Sequence, residues 1–176
     1  MSSPDGWQPA DAIIAAMDVN GDIETYSHYI RKQIASIQDC LREMTEEQIN
    51  RVPDVEGANS AFVIATHVLG NARAWVLGIA CGRSVVRDRP AEFASRGSFD
   101  DFDRAATALC GEIEEALKGL DPSALDRRFR PAQELWGAGE PYEVTVRMAL
   151  ADVLEHASIH LGHVQLTRDL VTSGAT

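Results

Sequence analysis

The sequence predicts an all-α protein built as a four-helix bundle, and three observations support this. Apolar residues recur at intervals of three and four along four long stretches, which is the period of a helix buried on one side. Segments with proline, glycine or many charges separate these stretches. A chain of 176 residues can bury about 70% of its unfolded surface around one core. We therefore expect a single domain over residues 1–176, with residues 1–20 as an N-terminal arm.

A loop joins the first two predicted helices. The first helix runs from about Asp22 to Met44, and its apolar stripe consists of Ile23, Tyr26, Ile30, Ile34, Ile37, Leu41 and Met44. Residues 45–57 contain proline and glycine, which favours a connection. The second helix begins at about Ser60, a suitable N-cap residue, and ends near Cys81 because a glycine follows.

A long crossover follows the second helix. Residues 83–97 are rich in charge and include Pro90, and they exceed the tight turn expected between adjacent antiparallel helices. Fully extended, this segment would span about 50 Å, the length of a bundle. The third helix is predicted to begin with a capping box at Ser98, with Asp101 where glutamate or glutamine is usual, and to end at Gly119.

The last helix, from about Glu143 to Val171, carries two stripes. Before it, residues 123–142 keep no helical period, so we expect an irregular lid or a short hairpin there. The core stripe of the helix consists of Leu150, Leu154, Ala157, Leu161 and Val164. About 100° around the helix lies a second stripe, formed by Asp152, His156, His160 and His163. These histidines are therefore expected to flank the core.

Composition argues against several classes of protein. The net charge of −11 argues against a nucleic-acid-binding surface and against binding to anionic membranes. The three cysteines form no paired motif, which argues against a disulfide framework and a cysteine-based zinc site. We find no basic leader and no apolar run of roughly 18 residues, so we expect no membrane span. A cytoplasmic protein that acts on a small molecule fits these properties.

Three of the five histidines lie within eight residues of the last helix, which indicates a metal site. The spacing of four places His156 and His160 one above the other on one face, where both imidazoles can reach one ion. A metal needs a further ligand, and His67 is the best candidate because it lies among apolar residues of the second helix. The alternative, that the pair only satisfies polar groups at a helix interface, stays open at this point.

Further residues are candidates for the surroundings of this site. Asp152, one turn before His156, is placed to orient an imidazole through a hydrogen bond. Asn71 lies one turn beyond the histidine of the second helix, on the same face. Arg127 and Arg128 belong to the single cluster of arginines in this acidic chain, and they are candidates to hold the carboxylate of a substrate.

Three neutral histidines would leave a divalent ion with an open coordination position. Such an ion lowers the pKa of the water or thiol that it binds, so a nucleophile forms at neutral pH. Zinc and nickel are the favoured ions, and iron is an alternative. No serine-histidine-acid arrangement, glycine-rich phosphate loop or Glu-x-x-His pair of di-iron bundles is present in the sequence.

The two histidine-bearing helices carry four short motifs, which are Asn59-Ser60-Ala61-Phe62, His67-Val68-Leu69, Ala74-Trp75-Val76 and His156-x-x-x-His160-Leu161-Gly162-His163. Together these motifs resemble the DinB-like superfamily. This superfamily includes DinB proteins, the metal-binding domain of mycothiol-dependent maleylpyruvate isomerase, and the bacillithiol and related thiol S-transferases. The resemblance covers residues 20–172.

The resemblance implies a bundle with its long crossover between the second and third helices. It also implies a metal triad of His67, His156 and His160. Many relatives carry glutamine at the position of His163, so this residue is open to contact with the metal, the substrate or neither.

We therefore expect a metal-dependent transferase or isomerase that activates a low-molecular-weight thiol toward a small-molecule substrate. The alternative is a non-catalytic, stress-related metal-binding bundle, in which a fourth side chain such as His163 or Asp152 closes the site. The resemblance also suggests a homodimer packed helix to helix.

Overall fold

Four long helices form the bundle, as the sequence predicted. A computed structural model describes residues 19–137 and 139–173, so most of the expected arm at 1–20 lies outside the described residues. The long helices are α1 Val19–Arg42, α3 Ala61–Ala72 with its π-helical continuation Arg73–Ala80, α5 Phe99–Lys118 and α7 Val146–Thr172. Helix α1 packs against α5 and α7, and α3 packs against α7. This arrangement brings the two histidine-bearing helices side by side.

Short elements connect the long helices. They are α2 Glu46–Asn50, α4 Arg89–Phe93, a 3-10 turn Pro122–Asp126, β1 Arg128–Phe129, α6 Gln133–Trp136 and β2 Val144–Thr145. Strands β1 and β2 pair antiparallel, with Arg128 opposite Thr145 and Phe129 opposite Val144. The segment 123–142 therefore contains β1 and α6, and the partner strand β2 follows just after it, so the segment is neither wholly irregular nor a short hairpin.

The core is aliphatic and continuous between the helices. Its largest fully buried side chains include Ile30, Ile34, Ile37, Leu77, Phe102, Ile113 and Leu150. Each such side chain contributes about 1.5–3 kcal/mol when it leaves water. The stripe predicted for α1 is therefore the face that holds this helix against α5 and α7.

Helix starts follow the capping residues that the sequence suggested. The Ser60 hydroxyl accepts from the backbone N–H of Val63. Ser98 and Asp101 form a complete capping box at the start of α5, although aspartate replaces the usual glutamate. These caps satisfy backbone N–H groups that the first turn of a helix leaves unpaired.

The second long helix differs from the regular helix expected over 60–81. From Arg73 to Ala80 its hydrogen bonds follow the wider π pattern, and Cys81 donates from its backbone N–H to the carbonyl of Val76. Residues Ala74 to Ala80 are all buried, so this segment is surrounded by contacts on every side. The sequence pattern of one apolar stripe does not describe such a helix. π-Helical segments are rare in proteins, and those that occur are often found at functional sites.

The same helix bears on the expectation that the chain has no membrane span. Among the described helices, Ala61–Ala80 is long and apolar enough to cross a membrane, but 78% of its most apolar window is buried inside the bundle. A buried helix at the centre of a bundle has this composition because it contacts apolar neighbours on most sides.

The crossover is not a simple extended strap. Within residues 83–97 the chain forms α4, which Asp88 caps and Pro90 opens. Helix α4 packs against α3. The crossover therefore delivers side chains to the face of α3 that carries the histidine.

Candidate metal centre

The structure brings His67, His156 and His160 together between α3 and α7. One possible ligand atom from each lies within 4.8 Å of the others. The His156 and His160 rings are one helical turn apart, with centroids separated by 4.4 Å. The His67 ring faces both, at centroid distances of 5.0 and 5.2 Å. This is a possible three-histidine metal site.

The closest contact between α3 and α7 at this centre joins two ring nitrogens. His67 Nε2 lies 3.1 Å from His156 Nε2. Between two neutral imidazoles, such a contact holds either one shared proton or one ion. Two nitrogens bound at about 2.0–2.1 Å in a tetrahedral zinc site are separated by roughly 3.3 Å, so this spacing suits a small divalent ion.

A carboxylate from the crossover orients His67. Glu92 Oε2 lies 2.8 Å from His67 Nδ1, and both side chains are buried. Because a carboxylate only accepts, the hydrogen bond requires a proton on Nδ1 and leaves the Nε2 lone pair free in the neutral ring. Arg87 in turn donates two hydrogen bonds to Glu92, of 2.7 and 3.0 Å.

Gly70 makes the approach of Glu92 possible. A Cβ atom at residue 70 would lie 1.9 Å from Glu92 Oε1 and 2.4 Å from its carboxyl carbon. Neither Glu92 nor Arg87 was predicted from the sequence. The Asp88-Arg89-Pro90 capping pattern could have indicated α4, but no sequence signal indicated that α4 packs on His67.

Protonation favours ligation at this centre. Burial, followed by the neighbouring rings of His160 and His67, lowers the pKa of His156 to about 3. Burial and the rings of His67 and His163 lower the pKa of His160 to about 4. Both imidazoles are therefore neutral at pH 7, which is the form that binds a metal.

The carboxylate beside His67 stays ionised. Burial acts to raise the pKa of Glu92, but hydrogen bonds from His67 and Arg87 outweigh it, and the net pKa is lowered. The carboxylate charge is thus present at neutral pH to hold the Nδ1 proton of His67.

His163 lies at the edge of the centre. It is exposed and does not belong to the close cluster, but its Nδ1 lies 3.2 Å from Nδ1 of His160. The structure thus places His163 in contact with His160, and a role toward the metal or the substrate stays a prediction.

The structure does not bring Asp152 into hydrogen-bond contact with His156. His156 Nδ1 is buried and has no hydrogen-bond partner among the described residues. Asp152 is half-buried, and burial and the neighbouring Glu155 raise the pKa of its carboxyl group. Both carboxylates line a cavity of about 270 Å³ together with Trp75 and Tyr142.

Asn71 is buried one turn after His67. Its side-chain carbonyl oxygen has no hydrogen-bond partner among the described residues. A buried amide oxygen without a partner is costly, so this atom is available to a ligand N–H or O–H group.

The predicted arginine cluster lies away from the three histidines. Arg127 lies over the ring of Phe129, and Arg128 pairs with Glu143 at 3.4 Å. Strand β1 pairs with β2 directly before α7, and Thr145 precedes His156 by eleven residues, about 16 Å along the helix axis.

Another arginine is closer to the histidines. Arg89 lies over the Phe93 ring at 5.5 Å, and that ring lies 4.9 Å from the His67 ring. The Arg89 Nε atom is buried and has no hydrogen-bond partner among the described residues. The crossover therefore places two arginines, Arg87 and Arg89, near the centre.

Comparison with known proteins identifies the family. A sequence model described as mycothiol-S-transferase matches residues 25–173, which is most of the chain and includes every histidine of the centre. No curated protein and no solved structure gave a significant match. The chain therefore belongs to the mycothiol S-transferase family, within the DinB-like superfamily that its motifs resemble.

Proposed function

We propose that this protein is a metal-dependent S-transferase that joins mycothiol to a small electrophile. The observation that carries the proposal is the convergence of three imidazoles within 4.8 Å in a chain of the mycothiol S-transferase family. His67, His156 and His160 would hold the ion. Zinc and nickel suit a set of nitrogen ligands, and iron is an alternative.

The donor set fits such an ion. Two of the rings are neutral at pH 7 because their pKa values lie near 3 and 4. Three neutral histidines would leave one coordination position of a divalent ion open, and the ion would lower the pKa of a thiol bound there.

The residues of the chain provide orientation. Glu92 accepts the Nδ1 proton of His67 and so directs its Nε2 lone pair toward α7. Arg87 keeps that carboxylate charged and in place. His163 Nδ1 contacts Nδ1 of His160, and this contact restrains the His160 ring.

The thiol would enter beside the crossover. Asn71 offers an unpaired buried oxygen to an N–H or O–H group of the thiol, and Arg89 offers an unpaired N–H donor. Arg127 and Arg128, at the far end of α7, would contact only a long substrate, and we retain them as a candidate site for a carboxylate.

The proposal includes the setting of the protein. We infer a cytoplasmic enzyme, because low-molecular-weight thiols are kept reduced there. We also infer a homodimer packed helix to helix, which sedimentation at micromolar concentration would test. A species near 19 kDa alone would contradict the dimer.

The deciding experiment is cobalt substitution followed by thiol titration. Thiolate ligation gives a sulfur-to-metal charge-transfer band in the near ultraviolet, which nitrogen and oxygen ligands do not give. Mycothiol should produce this band in the native protein and in His28→Ala, a control that removes the exposed histidine of α1. His160→Ala should not give the band.

A second result would favour the alternative function. If cobalt binds but mycothiol, bacillithiol and glutathione all fail to produce the band, the transferase proposal is lost. The non-catalytic, stress-related metal-binding bundle would then be the better account.

A further inference from the structure

An apolar cavity of about 350 Å³ opens beside the histidine centre. It lies between the loop before α3 and the C-terminal half of α7. Val55, Ile64, Leu166 and Leu170 form its apolar walls, and His160 and His163 form the wall toward the centre. No charged side chain of the described residues lines this cavity.

We propose that this cavity binds the uncharged, apolar body of the electrophilic acceptor. The inference rests on the proposed function, since it assigns the second substrate of that reaction. A volume of 350 Å³ is in the range of small-molecule sites. A charged group buried in this cavity would meet no side chain of opposite charge among the described lining residues, so the cavity selects against charged acceptors.

The position of His160 links the cavity to the chemistry. This side chain lines the cavity and also belongs to the cluster of three histidines. An acceptor held by the apolar walls therefore has its reactive end beside the centre. Thr167 offers the one hydroxyl group among the described lining residues, which suits a carbonyl or nitro oxygen on the acceptor.

A second cavity, on another side of α7, has a different character. It carries the carboxyl groups of Asp152 and Glu155, next to Trp75 and Tyr142, and none of the three histidines of the centre lines it. An uncharged acceptor would cover these carboxyl groups without replacing their hydrogen bonds to water, so it is better accommodated on the His160 side.

The reaction can be written for an aryl chloride such as 1-chloro-2,4-dinitrobenzene. The thiolate sulfur forms a bond to the ring carbon that carries chlorine. The carbon–chlorine bond then breaks, and chloride leaves with the bonding pair. The thiol proton is released to solvent, so the step needs neither an oxidant nor a reductant.

The test uses two probes that cannot react. 1,3-Dinitrobenzene lacks a leaving group, and 3,5-dinitrobenzoate adds one carboxylate to the same ring. Calorimetric titration of the metal-free protein, in which the carboxylate cannot bind an ion, should show the neutral probe binding at least about tenfold more tightly, because a buried carboxylate would have no side chain of opposite charge beside it.

Two variants of α7 locate the binding. Leu166 is 59% exposed, so Leu166→Glu should fold normally while placing a carboxylate in the cavity wall. Ile159→Glu is the matched control, because Ile159 is 52% exposed, lies two turns earlier on the same helix and does not line the cavity. We expect dinitrobenzene affinity to fall about tenfold in Leu166→Glu and less than twofold in Ile159→Glu.

Kinetics give a second reading. In Leu166→Glu the KM for 1-chloro-2,4-dinitrobenzene should rise about tenfold, while the KM for mycothiol stays within twofold. Ala58→Phe, which fills the cavity from the loop side, should have the same effect without adding a charge.

The outcomes separate the two proposals. Equal binding of dinitrobenzene to the native protein and Leu166→Glu would overturn the cavity assignment, even where mycothiol still gives the cobalt band. If the native protein binds dinitrobenzene but gives no cobalt band with mycothiol, the transferase function is lost. The cavity would then remain a binding site for an apolar ligand. If Leu166→Glu converts a dimer to a monomer, a second copy of the chain covers the cavity and the assignment fails.

Discussion

The two helices that form the centre hold their histidines in different ways. His67 on α3 is 6% exposed, and its Nδ1 atom is held by Glu92, which Arg87 of the crossover holds in turn. His156 and His160 on α7 are half-buried, and His156 Nδ1 has no hydrogen-bond partner among the described residues. His67 is therefore oriented by tertiary contacts, whereas the pair on α7 is positioned mainly by the helical spacing of four.

This difference has an energetic side. The Arg87 and Glu92 side chains are 5% and 9% exposed, so their ion pair is buried. Replacing a buried ion pair with apolar groups is often neutral, but removing one partner costs about 3–5 kcal/mol. The orientation of His67 is thus coupled to the stability of the fold, while the α7 pair can change without loss of a buried charge.

The largest expected effect is on metal content. His156→Ala or His160→Ala should lower bound divalent metal well below one equivalent, because two imidazoles do not hold an ion as three do. Helical content should largely survive, since both residues flank the core. Metal analysis and circular dichroism measure the two quantities, with His28→Ala as the control. Unchanged occupancy in both variants would end the assignment of the site.

The next largest effect concerns the network behind His67. Glu92→Gln keeps the shape of the side chain but removes its charge, so Arg87 is left buried without a charged partner. We expect metal affinity to fall about 10- to 100-fold and unfolding free energy to fall by about 3 kcal/mol.

Glu112→Gln is the control for that change, since its partner Arg73 is 42% exposed. Exposed pairs contribute about 0–1 kcal/mol, so denaturant unfolding should hardly change. Equal effects of the two substitutions would contradict a special role for the crossover network.

Gly70→Ala tests the same network without altering any polar group. A Cβ atom at residue 70 would overlap the Glu92 carboxylate, which the contacts to His67 and Arg87 hold in place. We expect metal affinity to fall roughly tenfold as that carboxylate moves.

Gly111→Ala on α5 is the matched substitution, because nothing lies within 4 Å of its added methyl group. It should stabilise the protein by about 0.5–1 kcal/mol through helix propensity alone. Metal affinity that is equal in the two glycine variants would show that the Glu92 position does not matter.

The smallest effect is on the pH dependence of the metal-free protein. The unfolded histidines titrate near pH 6.5, whereas the folded pKa values of His156 and His160 are about 3 and 4. Between pH 6.5 and 4 the unfolded chain therefore binds more protons, and stability is lost as pH falls through this window. After a discount for solvent screening, we expect a loss of about 1–2 kcal/mol between pH 6.5 and 5.

Replacing His156 and His160 together by asparagine should flatten this part of the profile. Chemical unfolding at several pH values measures the slope. A slope that is the same in the native protein and the double variant would show that other groups cause the pH dependence.

The sequence by itself determined most of the bundle. Periodic apolar positions gave α1 and α5 to within a few residues, and Ser98 and Asp101 formed the expected capping box. The spacing of four determined that His156 and His160 share a face of α7. These features depend on interactions within a few residues of the chain, which a local pattern records.

The tertiary structure alone decided how the centre is supported. The contacts of Glu92 with His67 and Gly70 join residues 25 and 22 positions apart, and no local pattern specifies them. The placement of Arg128 beside Thr145 likewise depends on strand pairing. This pairing places the arginine cluster away from the histidines. Such contacts arise when separately formed elements pack, because packing selects partners by shape and charge and not by distance along the chain.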